Sequence, residues 1–158
     1  MEKKPVNVLF VCMGNICRSP AAEGVLKHLL KQNPSLNVYV ESCGIGDWHI
    51  GQAPDFRIQQ ASKARGIALT GVAQQFKSHF LDQFDYILVS DKEILKYLYR
   101  AAKTPEQKGK IFLMTEFSTV YKGEEIPDPF YQGDIAFELV LDMLEDSCHG
   151  LLEHIRST

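Results

Sequence analysis

Apolar positions along this chain alternate between two rhythms. Val6 to Val11, broken only by Asn7, is a β-branched run with the length of a buried strand, and Ala22, Val25, Leu26, Leu29 and Leu30 then recur at helical spacing. Ser19 suits the N-cap of that helix and Pro20 its first position, while Asn33-Pro34-Ser35 ends it. Val38 to Ser42 returns to a strand pattern, which completes a strand, helix, strand unit. Ala53-Pro54-Asp55 opens a second helix through about Arg65, with Ile58, Ala61 and Ala64 on one face and Gly66 past its end. Phe84 to Ser90 predicts a third strand, and Lys92 to Ala102 another helix. Thr104 to Gly109 is a polar break, Lys110 to Met114 a short fourth strand, and Thr115 to Asp128 a long loop. Asp134 to Ile155 closes the chain as a helix, with Leu139, Val140, Met143, Leu144, Leu151 and Ile155 in an apolar stripe. The expected fold class is α/β: a single domain over residues 1–158, with a four-stranded parallel sheet, helices on both faces and a ligand-binding loop after the first strand.

That loop carries the chemistry. A small-residue turn with Gly14 and Asn15 joins the first strand to the first helix, so its backbone N–H groups are free to face inward as an anion cradle. Asn15 is expected in the left-handed region, which Asn tolerates better than most residues, so its side chain needs an anchor, for which Ser42 and Ser19 are candidates. Cys12 stands at the base of the cradle and Arg18 at the mouth of the helix. An ordinary thiol of pKa near 8.5 is only about 3% ionised at pH 7, so a nucleophilic cysteine needs inward donors and a cation beside it. The same donors suit the three non-reacting oxygens of a phosphoryl group, two of which a guanidinium matches bidentately.

Composition narrows the partners. With 45% hydrophobic and 23% charged residues the chain has enough apolar surface for a core, and a net charge of -3 gives no footprint for nucleic acid. No apolar run is long enough for membrane insertion, and Met1-Glu2-Lys3-Lys4-Pro5 leads straight into the first strand without a signal segment, so a cytoplasmic location is expected. Four cysteines (Cys12, Cys17, Cys43, Cys148) fit a reducing compartment better than a disulfide framework. The cysteines and histidines show no metal-ligand spacing.

Val11-Cys12-Met13-Gly14-Asn15-Ile16-Cys17-Arg18-Ser19-Pro20 resembles the signature of the low-molecular-weight protein tyrosine phosphatases, and the likeness extends along nearly the whole chain. Ile126-Pro127-Asp128-Pro129-Phe130-Tyr131 resembles that family's Asp-Pro-aromatic-Tyr element, whose Asp is the general acid. The resemblance implies Cys12 as nucleophile, Arg18 with Met13, Gly14, Asn15, Ile16, Cys17 and Ser19 as the phosphate loop, and Asp128 as the acid. Trp48, in the glycine-punctuated loop after the second strand, would then face Phe130 and Tyr131 across a substrate slot, with Ser42 and Asp91 in support. For Asp91 two roles stay open, pairing with Arg18 and capping the helix that follows. The implied substrate is a phosphotyrosine-containing protein or peptide, or a small aryl phosphate, with no cofactor and no metal. The chain departs from many members at Gly71, Gln74 and Ile94, where they have His, Arg and Asn. That His supports the network around the Asn matching Asn15, so its loss bears on the rigidity of the cradle.

Four rivals are weaker on the residues. Arsenate reduction wants a downstream redox pair of cysteines, and Cys43 and Cys148 are far apart in sequence. A non-catalytic phosphotyrosine-binding module would typically have lost Cys12 or Asp128. A Gly-x4-Gly-Lys-Ser/Thr nucleotide loop is missing. Phosphoarginine hydrolysis would be favoured by a small polar residue at position 16, where Ile16 offers apolar surface to an aromatic ring.

Overall fold

β1 (Val6–Cys12) lies inside a sheet of order β2-β1-β3-β4, every pairing parallel, with β2 at Val38–Gly44, β3 at Tyr86–Val89 and β4 at Ile111–Leu113. The computed structural model describes residues 4–158, so the sequence reading of Met1 to Lys3 lies outside the described residues. The helices are α1 (Arg18–Lys31), α2 (Phe56–Lys63), α3 (Phe80–Gln83), α4 (Lys92–Ala101), α5 (Pro105–Lys108) and α6 (Asp134–Arg156). Because side chains alternate along a strand, β1 serves two cores. Val8 and Phe10 pack with α1 and α6, whereas Leu9 and Val11 pack with α3 and α4 on the opposite face. The run is apolar throughout because both faces are covered. Among the described residues no helix is long and apolar enough to cross a membrane.

Several local expectations are corrected. Ser19 is not the N-cap of α1: the helix starts at Arg18 after Cys17, which makes no side-chain cap, and Ser19 turns its hydroxyl inward to Cys12. Pro20 therefore occupies the third helical position, where its missing N–H is still one of the groups without an intrahelical partner. β2 runs two residues beyond Ser42 because Cys43 and Gly44 continue the register opposite Val11 and Cys12. The polar break at 104–109 contains α5, a single turn capped by Thr104 and started by Pro105. Neither α5 nor α3 is long enough to show a period. In α6, Leu139 is 43% exposed, and the buried stripe also includes Phe137, Leu141, Cys148 and Leu152.

The long loop after β4 is held at both ends. Met114 N–H donates to the Val89 carbonyl and Ile126 N–H to the Ser90 carbonyl, so the loop leaves and rejoins the C-terminal edge of the sheet. Between these points Asp146 of α6 accepts from the Ser118 hydroxyl and from the N–H groups of Thr119 and Val120. Gly150 allows the Phe117 carbonyl to rest directly on α6. The loop thereby delivers Asp128 to the sheet edge where β1 ends.

This contact generates a stability prediction. A Cβ on Gly150 would collide with the Phe117 backbone, which has no rotamer to yield, so Gly150→Ala should cost about 2 to 3 kcal/mol through overpacking. That corresponds to a melting temperature lower by about 5 to 10 °C in a chain of this size. Gly109→Ala, whose Cβ would meet only ordinary contacts at 3.4 and 3.6 Å, should stay within about 0.5 kcal/mol. Equal melting temperatures for the two variants would show that α6 and Phe117 are not in tight contact.

Candidate active site

Residues 13–17 connect β1 to α1, and three of their carbonyls are engaged by neighbouring segments. Met13 and Ile16 accept from Gly46 N–H at 2.8 Å and Asp55 N–H at 2.7 Å, and Cys17 accepts from Ala21 N–H at 3.1 Å. Among the described residues the N–H groups of Met13, Gly14, Ile16 and Cys17 have no protein partner, while that of Asn15 points at the Cys12 sulfur at 3.3 Å. Unpaired donors gathered beside a helix N-terminus form an anion site.

The curl depends on Asn15, the one non-glycine residue with positive φ (57°) among the described residues. Its side chain is fully engaged: Nδ2 donates to Ser19 Oγ at 2.8 Å and Ser42 Oγ at 3.0 Å, and Oδ1 accepts from Gln74 N–H at 2.9 Å. Ser42 in turn donates to Glu23 at 2.7 Å, and Gln74 Nε2 donates to Glu41 at 3.0 Å and to the Ser42 carbonyl at 2.9 Å. Asn15 thus has three anchors although position 71 is a glycine. Beneath the loop, Gly44 lies so close that an added Cβ would be 2.9 Å from Asn15 N, the Gly14 carbonyl carbon and Met13 O.

Cys12 is 3% exposed, with Ser19 Oγ 2.9 Å from its sulfur. A thiolate can only accept, so the Ser19 proton would then turn to it in preference to the Cys43 carbonyl at 3.3 Å. Burial pushes the thiols of Cys17 and Cys43 far above their ordinary range, with Cys12 as the next contribution in each case. Those two sulfurs stay protonated and line or support the loop. Arg18 is 6% exposed, and its Nη1 donates to Asp91 Oδ2 at 2.9 Å and to the Ile126 carbonyl at 3.0 Å. Asp91 fills both roles left open by its position, since its other oxygen caps α4 by accepting from Ile94 N–H at 3.0 Å. Ile94 itself is buried in the second core.

Asp128 stands at the rim with its side chain 55% exposed and Oδ2 3.8 Å from Arg18 Nη2, while its Oδ1 accepts from Phe130 N–H at 3.1 Å. One cleft of about 460 Å³ is lined by Cys12, Met13, Gly14, Ile16, Cys17 and Arg18 on its floor. Trp48, His49, Asp128, Phe130 and Tyr131 form its walls. Tyr131 is 92% exposed, and its ring meets that of Phe130 edge to face. Asn15, Ser19, Ser42 and Asp91 lie behind the cleft, holding residues that line it. Sequence reasoning missed His49, whose neighbour Trp48 was the available signal. It also missed Glu23, one helical turn beyond Ser19, and the Ile126 carbonyl, for which no sequence signal exists.

A buried thiol among unpaired amides, a clamped guanidinium and a rim carboxylate define a site for displacement at a phosphoryl group. Residues 7–158 match the model of the low molecular weight phosphotyrosine protein phosphatase family, and the chain belongs to that family. It is 35% identical to the low molecular weight protein-tyrosine-phosphatase PtpA of Staphylococcus aureus, over 95% of this chain and 94% of that one. A crystal structure of a protein tyrosine phosphatase from Entamoeba histolytica superimposes with a TM-score of 0.91 at 36% identity, covering 96% of this chain and 97% of the other. A Drosophila arginine phosphatase matches with a TM-score of 0.86 at 34% identity, over 94% and 96% of the two chains. The protein is accordingly a cysteine-dependent protein tyrosine phosphatase, an enzyme class that works through a cysteinyl-phosphate.

The packing beneath the loop generates a prediction. Gly44→Ala must displace backbone, because all three close atoms belong to it, and should lower turnover of an aryl phosphate at least tenfold. The melting temperature should change by only a few degrees, since Gly44 lies at the end of an edge strand. Wild-type turnover in this variant would mean that the loop is not shaped by its contact with β2.

Proposed function

We propose that Cys12, Arg18 and Asp128 carry out phosphotyrosine hydrolysis in this chain, that residues 1–158 act as one catalytic domain, and that the substrate is a phosphotyrosine-containing protein or peptide in the cytoplasm. The observation that carries this reading is the Cys12 sulfur on the floor of the cleft, held by Asn15 N–H and Ser19 Oγ, with Arg18 and Asp128 on the same cleft. Four free, buried cysteines support a reducing compartment.

In the first step the Cys12 thiolate attacks phosphorus, the sulfur–phosphorus bond forms, and the bond to the phenolic oxygen breaks as Asp128 protonates that oxygen. The charge on the non-reacting oxygens is held by the unpaired loop amides and by Arg18, whose Asp91 and Ile126 contacts fix the plane of the fork. In the second step the Asp128 carboxylate takes a proton from water as that water attacks phosphorus, and the thiolate departs. Ser19 Oγ donates to the departing sulfur and eases its release. Trp48, Phe130 and Tyr131 line the cleft and supply aromatic surface for the phenyl group, and Ile16 adds apolar surface.

The decisive experiment is turnover of p-nitrophenyl phosphate without added metal, in wild type and Cys12→Ser. The substitution should abolish activity, and surviving turnover would overturn the assignment of Cys12. A phosphotyrosine peptide should be cleaved faster than a phosphoarginine peptide, and the reverse order would overturn the substrate assignment.

Asp128 is tested by the leaving group. The phenol of tyrosine, with pKa near 10, needs a proton as it leaves, whereas an acidic nitrophenol leaves nearly unaided. In Asp128→Asn, pre-steady-state release of tyrosine should slow by about 10² to 10⁴, or roughly 3 to 5 kcal/mol, with a much smaller loss for the nitrophenol. Equal slowing of both would remove Asp128 from the proton transfer.

A further inference from the structure

The segment bearing Asp128 has little structure of its own. Residues 127–133 belong to no helix or strand, and the one internal backbone bond runs from Gln132 N–H to the Pro129 carbonyl at 2.9 Å. Ala136 N–H of α6 donates to the Gly133 carbonyl at 3.0 Å at the end of the segment. Among the described residues the other hydrogen bond that reaches this backbone from outside it runs from Arg57 Nη2 to the Phe130 carbonyl at 2.6 Å. Arg57 lies in the first turn of α2, with its guanidinium carbon 5.4 Å from the centre of the Phe130 ring and 4.7 Å from that of Phe137 in α6. Asp55 holds its fork in place by accepting from Nε at 3.2 Å and from Nη2 at 3.3 Å. Asp55 is in turn tied to the phosphate loop, since its N–H donates to the Ile16 carbonyl at 2.7 Å.

A continuous strap therefore runs from Ile16 through Asp55 and Arg57 to Phe130, and Phe130 N–H holds the Asp128 carboxylate. We propose that Arg57 is a positioning residue that sets the carboxyl of Asp128 at its working distance from the phosphate loop. The inference rests on the assignment of Asp128 as the proton donor. Upstream, Ile126 is held by Arg18 Nη1 and Ser90, which fixes where the segment starts. The Asp128 side chain itself reaches the floor of the cleft through the 3.8 Å ion pair with Arg18, too long to orient a carboxyl by itself. Proton transfer demands hydrogen-bond distance to the leaving oxygen, so a shift of about 1 Å in this segment is costly. Only a planar fork can bond Asp55 and the Phe130 carbonyl while stacking on two rings, a geometry that lysine lacks.

Single-turnover release of the phenol is measured for phosphotyrosine and p-nitrophenyl phosphate in wild type, Arg57→Ala, Arg57→Lys, Asp128→Asn and the double variant Arg57→Ala with Asp128→Asn. Arg57→Ala should slow tyrosine release by about ten- to a hundredfold and nitrophenol release much less. Arg57→Lys should restore only part of the loss, and serves as the test variant should Arg57→Ala fold poorly. The double variant should be no slower than Asp128→Asn alone, because Arg57 acts through Asp128. If Asp128→Asn separates the two substrates but the Arg57 variants slow both equally, or add fully to Asp128→Asn, the assignment of Arg57 falls alone. If Asp128→Asn itself fails to separate them, the proton-donor reading falls and this inference with it.

Discussion

Backbone amides that must stay unpaired beside a sulfur impose the constraint on which the rest of the molecule depends. A hydrogen bond contributes about 0.5 to 1.5 kcal/mol, and the turn from Met13 to Cys17 leaves four N–H groups, all on residues lining the cleft, without a protein partner. Such a turn persists only where its surroundings over-determine it. Here the carbonyls are tied to Gly46, Asp55 and Ala21, Asn15 is held in the left-handed region by three side-chain bonds, and the backbone of β2 presses from below at Gly44. These contacts hold the turn in the shape that leaves its donors free beside the Cys12 sulfur.

Arg18 shows the same logic with charge. Its side chain is 7% exposed and that of Asp91 18%, so each would be costly to bury alone. Pairing them offsets that cost and spends Nη1 on Asp91 and Ile126, which orients the remaining edge of the guanidinium. Asp91 joins three elements in doing so, since it follows β3, caps α4 and pairs with α1. The phosphate loop is thereby locked to both sides of the sheet.

Departures from the family pattern fall on the outer part of this network. With glycine at position 71, the Oδ1 of Asn15 is served by the backbone of Gln74, whose side chain also bonds Glu41 and the Ser42 carbonyl. Gln74 carbonyl and Phe76 N–H both bond Gly44, so this segment docks on the end of β2 as a short extra bridge. At position 94 an apolar residue fills the second core while its N–H still serves Asp91. At positions 74 and 94 the network is served by backbone N–H groups, which depend little on side-chain identity.

Residues 6–11, the helical spacing after them and the Cys12-to-Arg18 turn made the parallel α/β fold and the phosphate loop readable from the chain alone. Strand and helix periodicity report burial, and a turn's φ preferences are local, so these features survive in sequence order. The start of α1 was misplaced because Ser19 has the chemistry of a cap, and only the packed structure shows its hydroxyl drawn to the Cys12 sulfur. Short elements such as α3 and α5 escaped for want of a period. The folded chain alone decided that Ile126 presents its carbonyl to Arg18 and that His49 joins the cleft. It also decided that Arg57, 73 positions from Phe130, reaches over to hold its carbonyl. Local sequence encodes conformation and burial, whereas contacts between distant backbone groups arise only when the sheet brings its strand ends to one edge.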